Sequence, residues 1–273
     1  MTISILGCGW LGLPLAQHLL NKNYIIKGST TTKEKISLLR NAGIESYLME
    51  IPADIGKENN RSFWDCDTLF VNIPPGRKNP DVVKDFPDSV RQLIKKVKEH
   101  EIKWVIFVSS TSVYDEFGGI TKEEDADMNI TATDSGKALL KAERLLMHEM
   151  VFDTTVIRFG GLYGYDRHPV KYLAGKKNLD KARKPVNLIH QDDCIEIIRR
   201  IIEMDVKNET LNAVSDGHPP RETFYRSAAE HFDLPLPEFK KDTNDGYRIV
   251  SNQKLKERLN YEFTYPNPMD HNP

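Results

Sequence analysis

The chain has 273 residues, enough for one large domain with a sizeable core. Its 38 Lys and Arg side chains nearly balance 40 Asp and Glu, and a formal net charge of -2 gives no general attraction to nucleic acid or to an anionic membrane. No apolar run is long enough to span a bilayer, and the opening sequence MTISILGCGW has no basic leader. Three dispersed cysteines, Cys8, Cys66 and Cys194, have no metal-ligand spacing and suit a reducing compartment, so we expect a cytoplasmic protein without a bound metal.

The first half of the chain alternates short apolar runs with amphipathic helical patterns. Strands are predicted at residues 3–6, 24–29, 45–51, 67–73, 103–110 and 154–160. Helices are predicted at 13–22, 33–43, 88–100 and from Asp134 onward. This alternation predicts an α/β fold with a doubly wound parallel sheet, the Rossmann fold.

After Gly160 the alternation is looser, with further helices predicted at 192–205 and 221–232. We therefore predict one domain over 1–273. It would consist of a Rossmann core at 1–160 and a small C-terminal substrate lobe at 161–273 that adds one helix to the core.

A glycine-rich loop, GCGWLG, lies between the first strand and the first helix. In this G-x-G-x-x-G spacing Gly7 permits a tight turn, Gly9 admits a pyrophosphate to the backbone, and Gly12 lets helix and strand pack closely. The pyrophosphate would then lie at the helix N-terminus. The alternative is a glycine-rich turn without a ligand. If the loop binds a dinucleotide, the contacting residues are Gly7, Gly9, Trp10, Leu11 and Gly12.

The end of the second strand distinguishes NAD from NADP, because an NAD site usually has an acid there for the ribose 2′-hydroxyl. Within the segment KGSTTTKEK the only acid is Glu34, which lies between two lysines. Thr30 and Thr31 offer hydroxyls and Lys33 offers a positive charge, so the segment favours NADP, with NAD as the second choice. The alternative is that these residues only cap the next helix.

Residues that follow the later strands complete the predicted cofactor site. Asp54 and Ile55 follow the third strand, where a carboxylate could accept a hydrogen bond from the adenine amino group. Asn72 and Pro74 follow the fourth strand, where the ribose and nicotinamide would pass. Gly161 follows the sixth strand, at the edge where open α/β sheets bind ligands.

The helix from Asp134 has a lysine in its first turn. Thr133, Asp134 and Ser135 are all suitable N-cap residues. Lys137 lies where the helix dipole disfavours a cation, by up to about 1 kcal/mol. Either Lys137 is exposed and the cost is screened by solvent, or a ligand determines its position.

Several motifs occur together in a characteristic order. They are GCGWLG, Asp54-Ile55, SSTSVY at 109–114, IRFGGLYG at 157–164 and NLIHQDDC at 187–194. This set resembles the extended and atypical short-chain dehydrogenase/reductase superfamily, in its NAD-dependent epimerase/dehydratase-like branch and its YeeZ-like subgroup. The resemblance covers nearly the whole chain.

The resemblance implies roles for three residues. Ser110, at the end of the fifth strand, matches the hydroxyl that binds the reacting oxygen. Lys137 matches the lysine that binds the nicotinamide ribose, and the position of the catalytic tyrosine is occupied by Thr133. An aliphatic hydroxyl is shorter than a phenol and one lysine cannot bring its pKa near neutrality, so the usual proton shuttle is absent from that position.

Other groups could carry the proton: Tyr114, Tyr163, Tyr165 and His190 are candidates, although a core role suits each of them better. Alternatively, water or the substrate carries it, or the protein turns nothing over. We therefore expect an NAD(P)-dependent oxidoreductase or epimerase-like enzyme acting on a polar small molecule, such as one derived from a sugar. The alternative is a non-catalytic NADP(H)-binding sensor or scaffold.

The remaining expectations concern ligands and partners. Arg77, Lys78 and Arg167 could contact an anionic substrate, and the basic segment 171–184 is either a solvated face or a lid over such a substrate. The expected partner is a small-molecule substrate, with no nucleic acid and no membrane. We expect a monomer or a homodimer.

Overall fold

The computed structural model describes residues 1–76, 79–131, 133–240 and 246–270. The strands of this part of the chain are β1 (Thr2–Leu6), β2 (Ile25–Thr30), β3 (Glu45–Leu48), β4 (Thr68–Val71), β5 (Trp104–Ser110), β6 (Ile120–Thr121), β7 (Asp153–Phe159), β8 (Gly161–Tyr163), β9 (Leu188–His190), β10 (Glu209–Ala213) and β11 (Ile249–Val250). The helices are α1 (Gly12–Leu20), α2 (Lys35–Asn41), α3 (Val82–Glu99), α4 (Asp134–Met147), α5 (Gln191–Glu203), α6 (Arg221–His231) and α7 (Gln253–Leu259).

Seven of the described strands form one sheet in the order β10-β7-β5-β4-β1-β2-β3. β1 pairs in parallel with β2 and with β4, and the parallel pairing continues to β3 on one side and to β5 on the other. The doubly wound α/β fold predicted from the sequence is thereby confirmed. The strand order reverses beside β1, and open sheets of this kind bind ligands at the carboxyl ends of the strands at such a point.

The strands at the centre of the sheet are covered on both faces. All four residues of β4 are buried, as are all but the first residue of β1. Strands with continuous apolar runs are typical of a parallel sheet between two helical layers, and this is why the sequence pattern predicted the core.

The contacts divide the chain into two compact units. The first comprises Met1–Val113, Asp127–Arg158 and Ile198–Thr210, and the second comprises Tyr114–Ala126, Phe159–Ile197 and Leu211–Pro273. Relative to a core at 1–160 and a lobe at 161–273, three segments belong to the other unit, and the shortest of them is 159–160. Residues 114–126 belong to the second unit, where β6 pairs with β11, and the last turns of α5 belong to the first.

Helix α3 begins at Val82, six residues before the predicted start at 88, and contains Pro87. A proline inside a helix leaves the carbonyl four residues earlier without its N–H donor. That carbonyl belongs to Val83, and Lys141 Nζ of α4 lies 3.4 Å from it. The neighbouring helix therefore supplies a substitute donor, which the sequence pattern alone does not show.

Among the described residues, no helix combines the length and the apolar character needed to cross a membrane.

Candidate functional site

The glycine loop turns sharply between β1 and α1. Gly7 has a φ of +104°, in the left-handed region that favours glycine. A Cβ on Gly7 would lie 2.6 Å from the Asn72 carbonyl oxygen, and one on Gly12 would lie 2.2 Å from the Gly7 carbonyl oxygen. The Gly7 N–H donates to Ser29 Oγ at 3.0 Å, and Asn72 Nδ2 donates to the Gly7 carbonyl at 3.1 Å. The loop is thus held by a residue of β2 and by one that follows β4.

The N–H groups in the first turn of α1 are not paired with an acidic or capping side chain of the described residues. Leu11 occupies the N-cap, and within the described residues no side chain caps this helix and no acid lies in its first turn. Gly9 is exposed, and a Cβ there would meet no heavy atom of the described residues within 4 Å. Trp10 is half-buried beside it. Because N–H groups at a helix N-terminus bind phosphate well, these residues fit the pyrophosphate of a dinucleotide.

A cleft of about 810 Å³ lies at the carboxyl ends of β1, β2 and β4. Of the predicted cofactor residues, those that line it are Gly7, Gly9, Thr30, Thr31, Asn72 and Pro74. Its other wall is formed by residues of α3, among them Phe86, Ser89 and Gln92. All of these residues belong to the first unit, so the cleft is complete within it.

Two lysines that follow β2, Lys33 and Lys35, line different surfaces. Lys33 lines a separate depression together with Arg40 and Tyr47. Lys35, the first residue of α2, lines the cleft instead. The reason is a turn in which the Lys35 N–H donates to the Thr32 carbonyl at 3.1 Å, so that the two lysines contribute to different surfaces.

Two acids follow β3, and the one that lines the cleft is Glu50. β3 ends at Leu48, and the cleft is lined by Met49, Glu50, Ile51 and Pro52, whereas the described lining does not include Asp54 or Ile55. Asp54 pairs with Lys57, which lowers the pKa of its carboxyl, and Asp54 Oδ2 also accepts the Glu50 N–H at 2.9 Å. Asp54 therefore closes the turn that presents Glu50. An acid directly after the strand was the signal that could have identified Glu50.

Ser110 and the start of α4 are brought together. The Ser112 N–H donates to Ser110 Oγ at 3.1 Å, which leaves the hydroxyl proton of Ser110 for another acceptor. A Cβ on Gly136 would lie 2.2 Å from the Ser112 carbonyl oxygen. Only glycine allows so close an approach, so this poor helix former draws the first turn of α4, with Lys137, towards the end of β5.

Thr133 caps α4, as expected for one of the three possible N-cap residues. Its Oγ1 accepts the Gly136 N–H at 3.0 Å. Lys137 is partly exposed, and its Nζ lies 3.9 Å from Asp134 Oδ1. The Thr133 hydroxyl, which was expected at the position of a catalytic tyrosine, therefore has a structural bond of its own.

The four other proton-carrier candidates lie in the second unit. Tyr114 is buried and donates to an asparagine side chain at 2.7 Å, and burial raises the pKa of Tyr163. Tyr165 donates to Asp192 Oδ2 at 2.8 Å, and this bond, with partial burial, raises the pKa of Tyr165 to about 12. His190 is fully buried, and its Nδ1 accepts the Asp192 N–H at 3.2 Å. The hydrogen bonds give Tyr114, Tyr165 and His190 structural roles, and Tyr163 is part of the core.

Three further residues were predicted to contact a ligand: Gly161, Arg77 and Lys78. Gly161 begins β8, and its N–H donates to the Asn187 carbonyl at 2.8 Å. It belongs to the second unit, apart from the cleft lining. Arg77 and Lys78 lie outside the described residues.

The parallel sheet, the glycine loop and the cleft at the reversal of strand order define a class: nicotinamide-dinucleotide-binding proteins of the Rossmann type. Comparison with known proteins agrees. A family model described as NAD(P)H-binding matches residues 7–192. Protein YeeZ of Escherichia coli K12 is 30% identical over 270 residues, which cover 98% of this chain and 97% of YeeZ.

Solved structures show the same fold. A UDP-glucose 4-epimerase from Thermotoga maritima, solved with UDP-glucose, has a TM-score of 0.79 at 17% identity and covers 97% of this chain and 94% of its own. A UDP-glucuronic acid 4-epimerase from Bacillus cereus, solved with NAD, has a TM-score of 0.79 at 19% identity, covering 97% and 92%. A protein of unknown function from Silicibacter pomeroyi has a TM-score of 0.77 at 22% identity, covering 98% and 95%.

The chain therefore belongs to the NAD(P)H-binding family, as a YeeZ homologue with the fold of NAD-dependent epimerases and dehydratases. The family predicted from the sequence motifs is confirmed.

Proposed function

We propose that this protein is an NAD(P)-dependent oxidoreductase or epimerase-like enzyme that acts on a polar small molecule, such as one derived from a sugar. The observation that carries the proposal is the uncapped first turn of α1, which lies beside a cleft that Gly7 and Gly9 help to line. The N–H groups of an uncapped first turn favour a bound anion, and the cofactor's pyrophosphate would be that anion.

We further propose a preference for NADP over NAD. The cleft wall at the end of β2 carries the hydroxyls of Thr30, Thr31 and Thr32 and the ammonium of Lys35. These groups suit a 2′-phosphate better than a free 2′-hydroxyl, for which an acid at this point is usual. Glu50 lies further along the cleft, and its carboxylate would accept a hydrogen bond from the adenine amino group.

In this proposal the nicotinamide supplies the hydride chemistry when the cofactor is bound. Ser110 would donate its hydroxyl proton to the reacting oxygen of the substrate. Lys137 would donate to the ribose hydroxyls, which explains a cation in the first turn of α4 at a cost of up to about 1 kcal/mol. Thr133 would not carry the proton, because its hydroxyl caps the helix and is too weak an acid.

The second candidate function is a non-catalytic NADP(H)-binding sensor or scaffold. It is favoured by one observation: the Oγ1 of Thr133, the residue that the family resemblance aligns with a catalytic tyrosine, already accepts the Gly136 N–H. Such a protein would bind the coenzyme in the cleft but would not catalyse a reaction. The fold does not choose between an enzyme and a sensor.

A binding and turnover experiment separates the two. NADPH oxidation would be followed with a panel of carbonyl compounds and nucleotide sugars, for the wild type and for Lys137→Met. The enzyme predicts turnover that Lys137→Met abolishes while NADPH still binds within about tenfold of the wild-type affinity. The sensor predicts saturable NADPH binding without turnover. Lys95→Met, on an exposed lysine of α3, is the matched control and should behave as the wild type.

The proposal also keeps a cytoplasmic location and a monomeric or homodimeric state. The three cysteines are free thiols, which suits a reducing compartment.

A further inference from the structure

The outer edge of β3 is a free strand edge. β3 is the last strand of the seven-stranded sheet on this side, and within the described residues no strand pairs with its outer edge. The N–H of Met49, directly after β3, donates to the Thr30 carbonyl of β2 at 3.0 Å. Because alternate residues of a strand direct their N–H and C=O groups to opposite sides, those of Ser46 and Leu48 point away from β2. A free edge of this kind is a template for pairing with another chain.

A groove of about 730 Å³ borders β3, and it is the depression that Lys33 lines. All four residues of β3 line it in succession: Glu45, Ser46, Tyr47 and Leu48. Successive side chains of a strand point to opposite faces of the sheet, so a cavity on one face would be lined by every second residue. Lining by four consecutive residues therefore places the groove at the strand edge, where an added strand would lie.

Two segments form the walls of this groove. They are α2 with the residue before its N-cap, and the 3₁₀ helix Glu58–Trp64; they contribute Lys33, Ile36, Ser37, Arg40, Asn59, Asn60 and Ser62. Arg40 Nε donates to Ser46 Oγ at 3.2 Å, and the Tyr47 hydroxyl lies 2.8 Å from Ser62 Oγ. Ser46 and Tyr47 are adjacent, so their side chains point to opposite faces of the sheet. The strand edge is therefore the floor of the groove, with α2 on one side and the 3₁₀ helix on the other.

The α2 wall of the groove is positively charged. Lys33 and Arg40 are exposed, and within the described part of the chain neither forms an ion pair with an acid. Glu45 is the one acid among the described lining residues, and it accepts a hydrogen bond from the Tyr47 hydroxyl. Burial, together with this bond, raises the pKa of Tyr47 to about 12, so the phenol keeps its proton at neutral pH and the bond to Glu45 persists. The charge of the groove favours a partner with negative charge.

We propose that this groove is a docking site for an extended acidic segment of another protein, which adds a strand to the outer edge of β3. The N–H and C=O groups of Ser46 and Leu48 would pair with the backbone of the segment. Every second side chain of the segment would point towards α2, where carboxylates would accept hydrogen bonds from Lys33 and Arg40. The four residues of β3 extend over about 13 Å, which limits the paired part of the segment to about four residues.

A second copy of this chain fits the groove less well than an acidic segment. Antiparallel pairing of two β3 edges about a two-fold axis would bring the α2 helices of both copies, with their unpaired cations, to the same side of the joined sheet. The inference goes beyond the proposed enzyme and does not rest on it. None of the described residues that line the groove also lines the coenzyme cleft, so the two proposals can fail separately.

The first test is the binding of a fluorescent hexapeptide of alternating glutamate and valine to the full chain, measured by fluorescence anisotropy. We expect saturable binding that weakens as the ionic strength rises, and much weaker binding of a hexapeptide of alternating lysine and valine. Arg40→Met should raise the Kd for the acidic peptide about tenfold and leave NADPH binding unchanged. Lys95→Met, on an exposed lysine of α3, is the matched control and should bind the peptide as the wild type does.

The second test separates strand addition from simple charge attraction. Leu48→Pro removes an N–H that points away from β2, and proline is tolerated in an edge strand at such a position. This variant should lose peptide binding, and urea denaturation would establish that it is folded.

A pair of modified peptides gives the same information without changing the protein. One acidic hexapeptide is N-methylated at every glutamate and the other at every valine, so that in each peptide only one edge lacks N–H donors. We expect one of the two to bind and the other to fail, because only one edge of the added strand would face β3.

Three results would overturn the inference: no saturable binding of the acidic peptide, equal behaviour of the two methylated peptides, or unchanged binding by Arg40→Met. Self-association of the wild type that Leu48→Pro abolishes, without peptide binding, would also overturn it and would assign the edge to a second copy of the chain.

Discussion

Replacing Gly9 by alanine should weaken dinucleotide binding without weakening the fold. Its Cβ would meet no heavy atom of the described residues within 4 Å, and its backbone is not in the left-handed region. The unfolded chain loses conformational freedom when glycine becomes alanine, so the free energy of unfolding should stay equal or rise by about 0.4–1 kcal/mol. The new methyl group would lie in the cleft, where the proposed pyrophosphate approaches the loop.

The expected loss of affinity can be calculated from the hydrogen bond that the new methyl group would prevent. Keeping the pyrophosphate away from one backbone N–H removes a charge-assisted hydrogen bond of about 1.5–3 kcal/mol. This corresponds to a Kd that rises about 10- to 100-fold. NADPH and NADH should be affected alike, because both contain the same pyrophosphate.

Gly12→Ala is the contrasting variant. Its Cβ would lie 2.2 Å from the Gly7 carbonyl oxygen, a backbone atom that must move by more than 1 Å to reach an ordinary contact of 3.4 Å. Overpacking and the weakened bond from Asn72 to that carbonyl should together cost about 2–4 kcal/mol of unfolding free energy. Affinity should fall as well, since the loop geometry is lost.

The assay pairs urea denaturation with titration of coenzyme fluorescence for the wild type and both variants. We expect Gly9→Ala to lose affinity alone and Gly12→Ala to lose both affinity and stability. The reasoning is refuted if Gly9→Ala binds NADPH as tightly as the wild type, because the loop would then not receive the phosphates.

Three other variants test separate parts of the site. Lys35→Met should weaken NADPH binding about tenfold and leave NADH binding unchanged, whereas Lys33→Met should alter neither; titrations with both coenzymes check this. Thr133→Ala should lower the unfolding free energy by about 1 kcal/mol through loss of the N-cap, and Thr133→Ser should restore it in urea denaturation. The pKa of Glu116 is lowered in the folded state because Lys184 and Lys181 outweigh the opposing effect of burial. The stability it contributes is therefore present above its unfolded pKa of about 4.3 and lost as the pH falls through the lower folded value, so Glu116→Gln should flatten the acid side of a stability-against-pH curve.

Much of the fold could be predicted from the sequence because the central strands are continuous apolar runs and the longer helices show helical periodicity. β4 is buried throughout, and α4 has apolar side chains at helical spacing. The strand β10 was not predicted: its sequence ETLNA is short, polar and at the sheet edge. The pairs β6–β11 and β8–β9 have only two or three residues per strand, too few for a period to be visible.

The candidate site could be predicted where glycine spacing determines the backbone, and less well where side-chain direction matters. Gly7 and Gly12 owe their places to close backbone approaches, which the motif encodes. The choice between Lys33 and Lys35 depends on where a turn ends, and a shift of two residues moves the charge to another surface. Thr133, Asp134 and Ser135 are all suitable N-cap residues by type, and the structure shows that Thr133 is the one that accepts the Gly136 N–H.

Direct titration of the wild-type protein with NADPH and with NADH in a calorimeter tests the central claim. We expect saturable binding of one coenzyme per chain, with NADPH bound more tightly than NADH. An absence of binding heat for both coenzymes, confirmed by an absence of change in coenzyme fluorescence, would contradict the assignment of the cleft to a dinucleotide.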